Sequence, residues 1–243
     1  MPTFSEEWRV LFRDHCVYGE SVLNSFELSL NSLKLVASQV SERELKVVLT
    51  DDLSEALSSI LDIYLANLLT QAVDLMELFI EQTNHCNVTL MTLAAKQLLE
   101  LAANTTYVAV KVKEANQGDL HALRKVLSYI LGLYSSISGI DPIEIMEVIN
   151  WRRYVKVNVL DQAYIVDLAS KQAFKWNITG HPNVLAFLYA LYSNLVRPCL
   201  RKLIKLTNGI NVDELISIAK LIIEPVCWPI NNLLIKALEE LCN

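Results

Sequence analysis

Glycine and proline are scarce, at six residues each in a chain of 243. With so few turn-formers, a fold of many short elements joined by tight turns is excluded, and long regular elements, helix foremost, remain. Cysteine is sparse as well. Cys16, Cys86, Cys199, Cys227 and Cys242 stand singly with no CxxC pair, an odd and scattered set that fits reduced thiols inside a cell. The four histidines, His15, His85, His121 and His181, are also single and HExxH is absent, so no metal is expected. No GxGxxG, P-loop or GxSxG occurs; a phosphate cradle and a nucleophile elbow therefore lack sequence support, and no cofactor is expected. The opening MPTFSEEWRV is acidic and polar where a secretory signal needs a basic start and an apolar core. A cytoplasmic protein is the expectation.

What the chain does have is apolar bulk: 53% of residues are apolar and 20% charged, which argues against disorder. Residues 53–82 contain neither Gly nor Pro, most of their positions are apolar, and the stretch has the length of a membrane span. Its polar residues, however, fall on one narrow stripe: Glu55, Ser59, Asp62, Thr70, Asp74, Glu77 and Glu81. Asp62 and Asp74 would each cost about 2.5–3.5 kcal/mol at the membrane centre. A bundle instead exposes the stripe and buries the rest, so the stretch reads as a central helix with no membrane span.

Along the rest of the chain, Thr3 and Glu6 form a capping-box pattern ahead of helical apolar spacing to about residue 40, with Gly19 as a candidate break. Thr50, Asp51 and Asp52 cap the helix that follows, and a third helix starts near Val88 or Thr89. Residues 107–113 alternate with period two and fit helix or strand equally. A fourth helix covers residues 120–137, and Asp141-Pro142-Ile143-Glu144 starts a fifth that runs to about Trp151.

The pattern then changes. Val155, Val157 and Val159 alternate with Lys156 and Asn158; Tyr164-Ile165-Val166 is a second apolar run; Phe174, Trp176 and Ile178 alternate with Lys175 and Asn177. This reads as a small antiparallel β-meander near residues 153–178. Pro182 opens a helix to about residue 206, kinked at Pro198, and Asn211 caps another to Ile223. Pro225 and Pro229 bracket a turn before the last helix. The predicted fold is mainly α, a bundle of long antiparallel helices with that β insertion. Residues 1–150 form an acidic helical bundle. Residues 151–243 form the meander plus C-terminal helices, either as a second unit or as one continuous domain with the first.

Charge is unevenly distributed. Residues 1–150 carry ten basic and twenty acidic residues, net −10; residues 151–205 carry nine and two, net +7; residues 206–243 carry two and five, net −3. Arg197, Arg201 and Lys205 lie at i, i+4 and i+8 beside Lys202, while Arg152, Arg153, Lys156, Lys175 and Trp176 come from the preceding segment. Cations contact phosphates and aromatic rings stack on bases, so these nine residues are the candidate nucleic-acid contacts, with Trp176 as the stacking group. The leading expectation is a non-enzymatic subunit of a nucleoprotein or multiprotein assembly. Its partners would be nucleic acid or an acidic protein surface, with other subunits or self-association. A purely protein-binding or oligomerising helical scaffold is the alternative.

Arg9 and His15, separated by five residues on the first helix, resemble the Arg-gap-His pattern of HEPN-type helical ribonucleases. Val10 follows the arginine where that family commonly has a polar residue. The resemblance implies RNA cleavage across a dimer by Arg9 and His15, and makes a helical ribonuclease the second alternative.

Overall fold

The computed structural model describes residues 2–41, 53–138, 160–196 and 212–242. The helices are α1 (Glu6–His15), α2 (Ser21–Ser41), α3 (Leu53–Asn84), α4 (Val88–Asn116), α5 (Leu120–Ser138), α6 (Gln162–Lys175), α7 (Val184–Leu195), α8 (Val212–Ile218) and α9 (Asn231–Cys242). Between α8 and α9 the helix continues through two π-helical segments, Ala219–Ile223 and Val226–Ile230.

The central element is α4 rather than α3. It packs against α3, α5, α6, α7, α9 and both π segments. The residues that face those neighbours include Ala94, Ala95, Ala102, Ala103 and Ala109, all essentially inaccessible. Small side chains let surrounding helices approach closely, and the gaps are filled by Met91, Leu98, Leu99 and Val108. Three buried hydroxyls would be costly unpaired. Thr92, Thr105 and Thr106 instead donate to the carbonyls of Val88, Leu101 and Ala102, at 2.6, 2.7 and 2.8 Å. Asn104 accepts from the Tyr129 hydroxyl of α5 at 2.8 Å and from Gln162 of α6 at 3.1 Å. One polar side chain thus ties three helices.

Residues 107–113, equally readable as helix or strand, lie inside α4. Tyr107, Val108, Ala109 and Val112 are buried there. Contact from several sides overrides the weak β preference of the valines.

The predicted β-meander is not found: among the described residues there is no strand. Residues 153–159 lie outside them, but the other two proposed strands fall on and just after α6. Ile165, Val166, Ala169, Ser170 and Ala173 are its buried positions, a helical period and not alternation. Asp161 caps the start, accepting from Ala163 N–H at 2.9 Å. The apparent alternation of Phe174, Trp176 and Ile178 is the end of that helix. Asn177 takes a left-handed φ of 58°, its N–H reaches Phe174 O at 3.0 Å, and the Ile178 N–H reaches Ala173 O at 2.9 Å. Those two bonds are a Schellman C-cap, which places an apolar residue just beyond the helix, back against its last turn.

Other boundaries follow similar rules. Gly19, at φ 57°, divides α1 from α2. Thr3 does not cap α1: Ser5 stands at the N-cap, and the Thr3 carbonyl accepts from Asn84 at 2.7 Å. Pro225 and Pro229 do not bracket a turn, because the helix runs through both. A proline removes an amide donor and crowds the carbonyl one turn back; the wider π geometry accommodates both within a continuous rod. The predicted helix over 142–151, the Asn211 cap and the Pro198 kink lie outside the described residues.

Residues 57–84 and 212–242 are each long and apolar enough to cross a membrane by length and composition. In α3 the stripe Glu55, Asp62, Thr70, Asp74 and Glu81 is exposed, whereas Ser59 is buried. Because Ala102 is fully buried in α4, Ala102→Leu adds volume with nowhere to go. It should destabilise by about 1–3 kcal/mol, measured as a lowered urea midpoint with an unchanged m-value.

Candidate functional site

Of the nine candidate nucleic-acid contacts, Arg152, Arg153, Lys156, Arg197, Arg201, Lys202 and Lys205 lie outside the described residues. Lys175 and Trp176 lie within them, at the end of α6. Lys175 is exposed. Trp176 is half-buried and packs against the core.

Lys175 lies at the mouth of a groove between α6 and α4. Tyr164, Leu168, Lys171 and Lys175 recur at helical spacing on α6. The last three line the groove, opposite Tyr107, Val110, Lys111 and Glu114 of α4, around a cavity of about 210 Å³. Three ammonium groups thus converge with one carboxylate. Lys111 pairs with Glu114 and Lys171 with Asp167 at 2.7 Å, both within one helix. Lys175 makes no ion pair or hydrogen bond to the described residues. Its position in the last turn also sets its charge against the negative end of the helix dipole.

The groove floor is less polar. The Tyr107 ring meets the Tyr129 ring edge-on, centroids 4.7 Å apart. Burial, and then the neighbouring Tyr164 and Glu114, push its phenol pKa up, so it stays a neutral hydrogen-bond donor and acceptor near neutral pH. Excess cations above a neutral phenol suit an anionic group. The groove has room for a phosphate or carboxylate at a contact point.

Lys111 and Tyr107 carry no local sequence signal. They belong to a region with twice as many acidic as basic residues. Only the packing of α6 on α4 places them beside Lys171 and Lys175.

In the Arg-gap-His pair, Arg9 is tied into an ion-pair cluster. The Arg9 side chain is only 16% exposed. Its guanidinium donates to both oxygens of Glu27, at 2.6 and 2.8 Å, to Asn24 at 2.6 Å and to Glu20 at 3.3 Å. Glu27 also accepts from the Phe4 N–H at 2.8 Å. This bidentate arrangement clamps α1 onto α2, leaving little of Arg9 for a substrate. His15 is exposed and lies six residues on, about 240° around the helix.

Among the described residues no group of three or more His, Cys, Asp or Glu side chains could hold a metal. Cys16, Cys86, Cys227 and Cys242 are free thiols, and burial pushes the Cys16 pKa up to about 11, unlike an activated nucleophile. No protein-family model, curated protein or solved structure matches the chain.

The α1–α2 clamp sets an acid limit on stability. Hydrogen bonds from Arg13 and then Arg9 hold the Glu20 pKa below its ordinary value of 4.5. Glu240 is likewise lowered by Lys113 and Lys236. With folded values below unfolded ones, the unfolded chain takes up protons first as pH falls. The contribution is complete above about pH 4.5 and is lost as pH drops through the folded values. Urea midpoints should therefore show no loss from these groups between about pH 7 and 5 and decline below about 4.5.

Proposed function

We propose that the protein is a non-enzymatic binding protein, a subunit of a nucleoprotein or multiprotein assembly that contacts nucleic acid through its basic segment 151–205. The observation that carries this reading is the α4–α6 groove, where Lys111, Lys171 and Lys175 converge and Lys175 has no partner among the described residues. In this reading the groove is one phosphate contact. Net charge of −6 on the whole chain disfavours indiscriminate attraction to polyanions, so binding depends on local placement. A cytoplasmic location belongs to the same proposal.

A second reading, a protein-binding helical scaffold, is favoured by the outer face of α2. There Leu28 and Leu35, two turns apart, are 67% and 62% exposed with Val36 beside them. Exposed apolar side chains grouped on one face are a common mark of a protein contact.

Salt dependence separates the two. Labelled single-stranded RNA and DNA should bind with an affinity that falls as salt rises. Lys171→Glu with Lys175→Glu should weaken binding roughly tenfold or more. The log–log salt slope should fall by about 1.4, the value for two fewer phosphates neutralised on a single strand. Wild-type protein that binds neither nucleic acid, or a double variant that binds like wild type, would remove the nucleic-acid reading.

A further inference from the structure

A second cavity, of about 230 Å³, lies beside the π-helical rod. One wall is apolar, formed by Ile178, Val184, Leu188 and Trp228. Trp228 is held in place by Tyr18 from the α1–α2 corner, the rings stacked with centroids 4.9 Å apart and planes 23° from parallel. The other wall carries two opposite charges, Lys220 and Glu224. Lys220 is exposed and Glu224 is half-buried. The Glu224 Oε1 is fully buried and has no hydrogen-bond partner among the described residues, a costly state for a carboxylate oxygen.

The two charges are four residues apart, a spacing at which Lys and Glu ordinarily meet on a helix. Farther along the same rod Lys236 and Glu240 have that spacing and pair at 3.2 Å. Among the described residues Lys220 and Glu224 form no ion pair. The difference between the two pairs is the backbone: residues 219–223 are π-helical, and an extra residue in the turn shifts the angular register of every side chain across it. A cation and an anion thus line one cavity beside an apolar wall without pairing with each other, and the less exposed of the two, Glu224, has no partner among the described residues.

We propose that this cavity binds a small apolar zwitterion, an α-amino acid or a short peptide. Its ammonium group pairs with Glu224, its carboxylate with Lys220, and its side chain packs on Ile178, Val184, Leu188 and Trp228. A zwitterion satisfies both protein charges at once, whereas a simple cation or anion leaves one of them unmatched. The site is separate from the α4–α6 groove and does not depend on nucleic-acid binding.

The test is thermal denaturation and calorimetry of the full chain with L-leucine, L-phenylalanine and the dipeptide leucyl-leucine. L-leucinamide and N-acetyl-L-leucine, which lack the carboxylate and the ammonium charge respectively, serve as controls. At least one zwitterion should raise Tm saturably, with both blocked analogues roughly tenfold weaker. The tighter of leucine and leucyl-leucine identifies a free amino acid or a peptide as the ligand. Glu224→Gln should raise the Tm of the unliganded protein, since an unpaired amide is cheaper to bury than an unpaired carboxylate, and should lose discrimination against N-acetyl-leucine. Lys220→Met, at an exposed position, should leave that Tm unchanged and lose discrimination against leucinamide. No saturable response to any zwitterion up to about 10 mM would overturn the proposal. So would equal binding of the blocked analogues, or binding that survives both substitutions unaltered.

Discussion

The constraint on which the rest of the structure depends is the burial of the middle of α4, residues 98–109, on most of its faces. A helix apolar on almost every face has no stable position at a surface, so its neighbours must enclose it. Five helices and the π segments do so. Its alanines set how near they come, its threonines bond to their own helix, and Asn104 fixes α5 and α6 in register. The placement of the groove follows: α6 lies where it can cover α4, and Lys111 therefore faces Lys171 and Lys175.

Helix endings supply the second layer of control. Cys86, Gly118 and Asn177 all have positive φ, and each is followed by an amide that reaches the carbonyl five residues before it. These three Schellman turns reverse or redirect the chain within very few residues, which reconciles six glycines with so many helices. The turn after α6 brings Ile178 and Thr179 into the wall of the second cavity, so a capping device also forms part of a candidate site.

The α-helical class, the starts of α3, α4 and α5, the break at Gly19 and the outward stripe of α3 were legible because each depends on local periodicity or a local cap. The hub was not. An all-round apolar helix such as α4 gives no amphipathic signal, and residues 107–113 mimic a strand because their valines alternate with lysines. The false meander had a related cause: around Asn177 the Schellman turn places Trp176 and Ile178 inward on either side of a polar residue, which copies the period of a strand. Of the site, Lys175 was legible from composition. Lys111 and Tyr107 were not, since only tertiary packing joins them to it. The separation of Lys220 from Glu224 was equally hidden, because the spacing alone announces a salt bridge and the π turn that prevents it has no simple sequence sign.

The packing of α9 on α4 has a kinetic side. The two helices are more than a hundred residues apart in sequence, and α9 has one of the most extensive interfaces with the hub. During synthesis α3, α4 and α5 can associate as soon as they emerge, but one apolar side of α4 stays bare until residues 231–242 arrive. Closing so long a loop slows folding, and the bare side is the surface on which partly made chains would stick to one another.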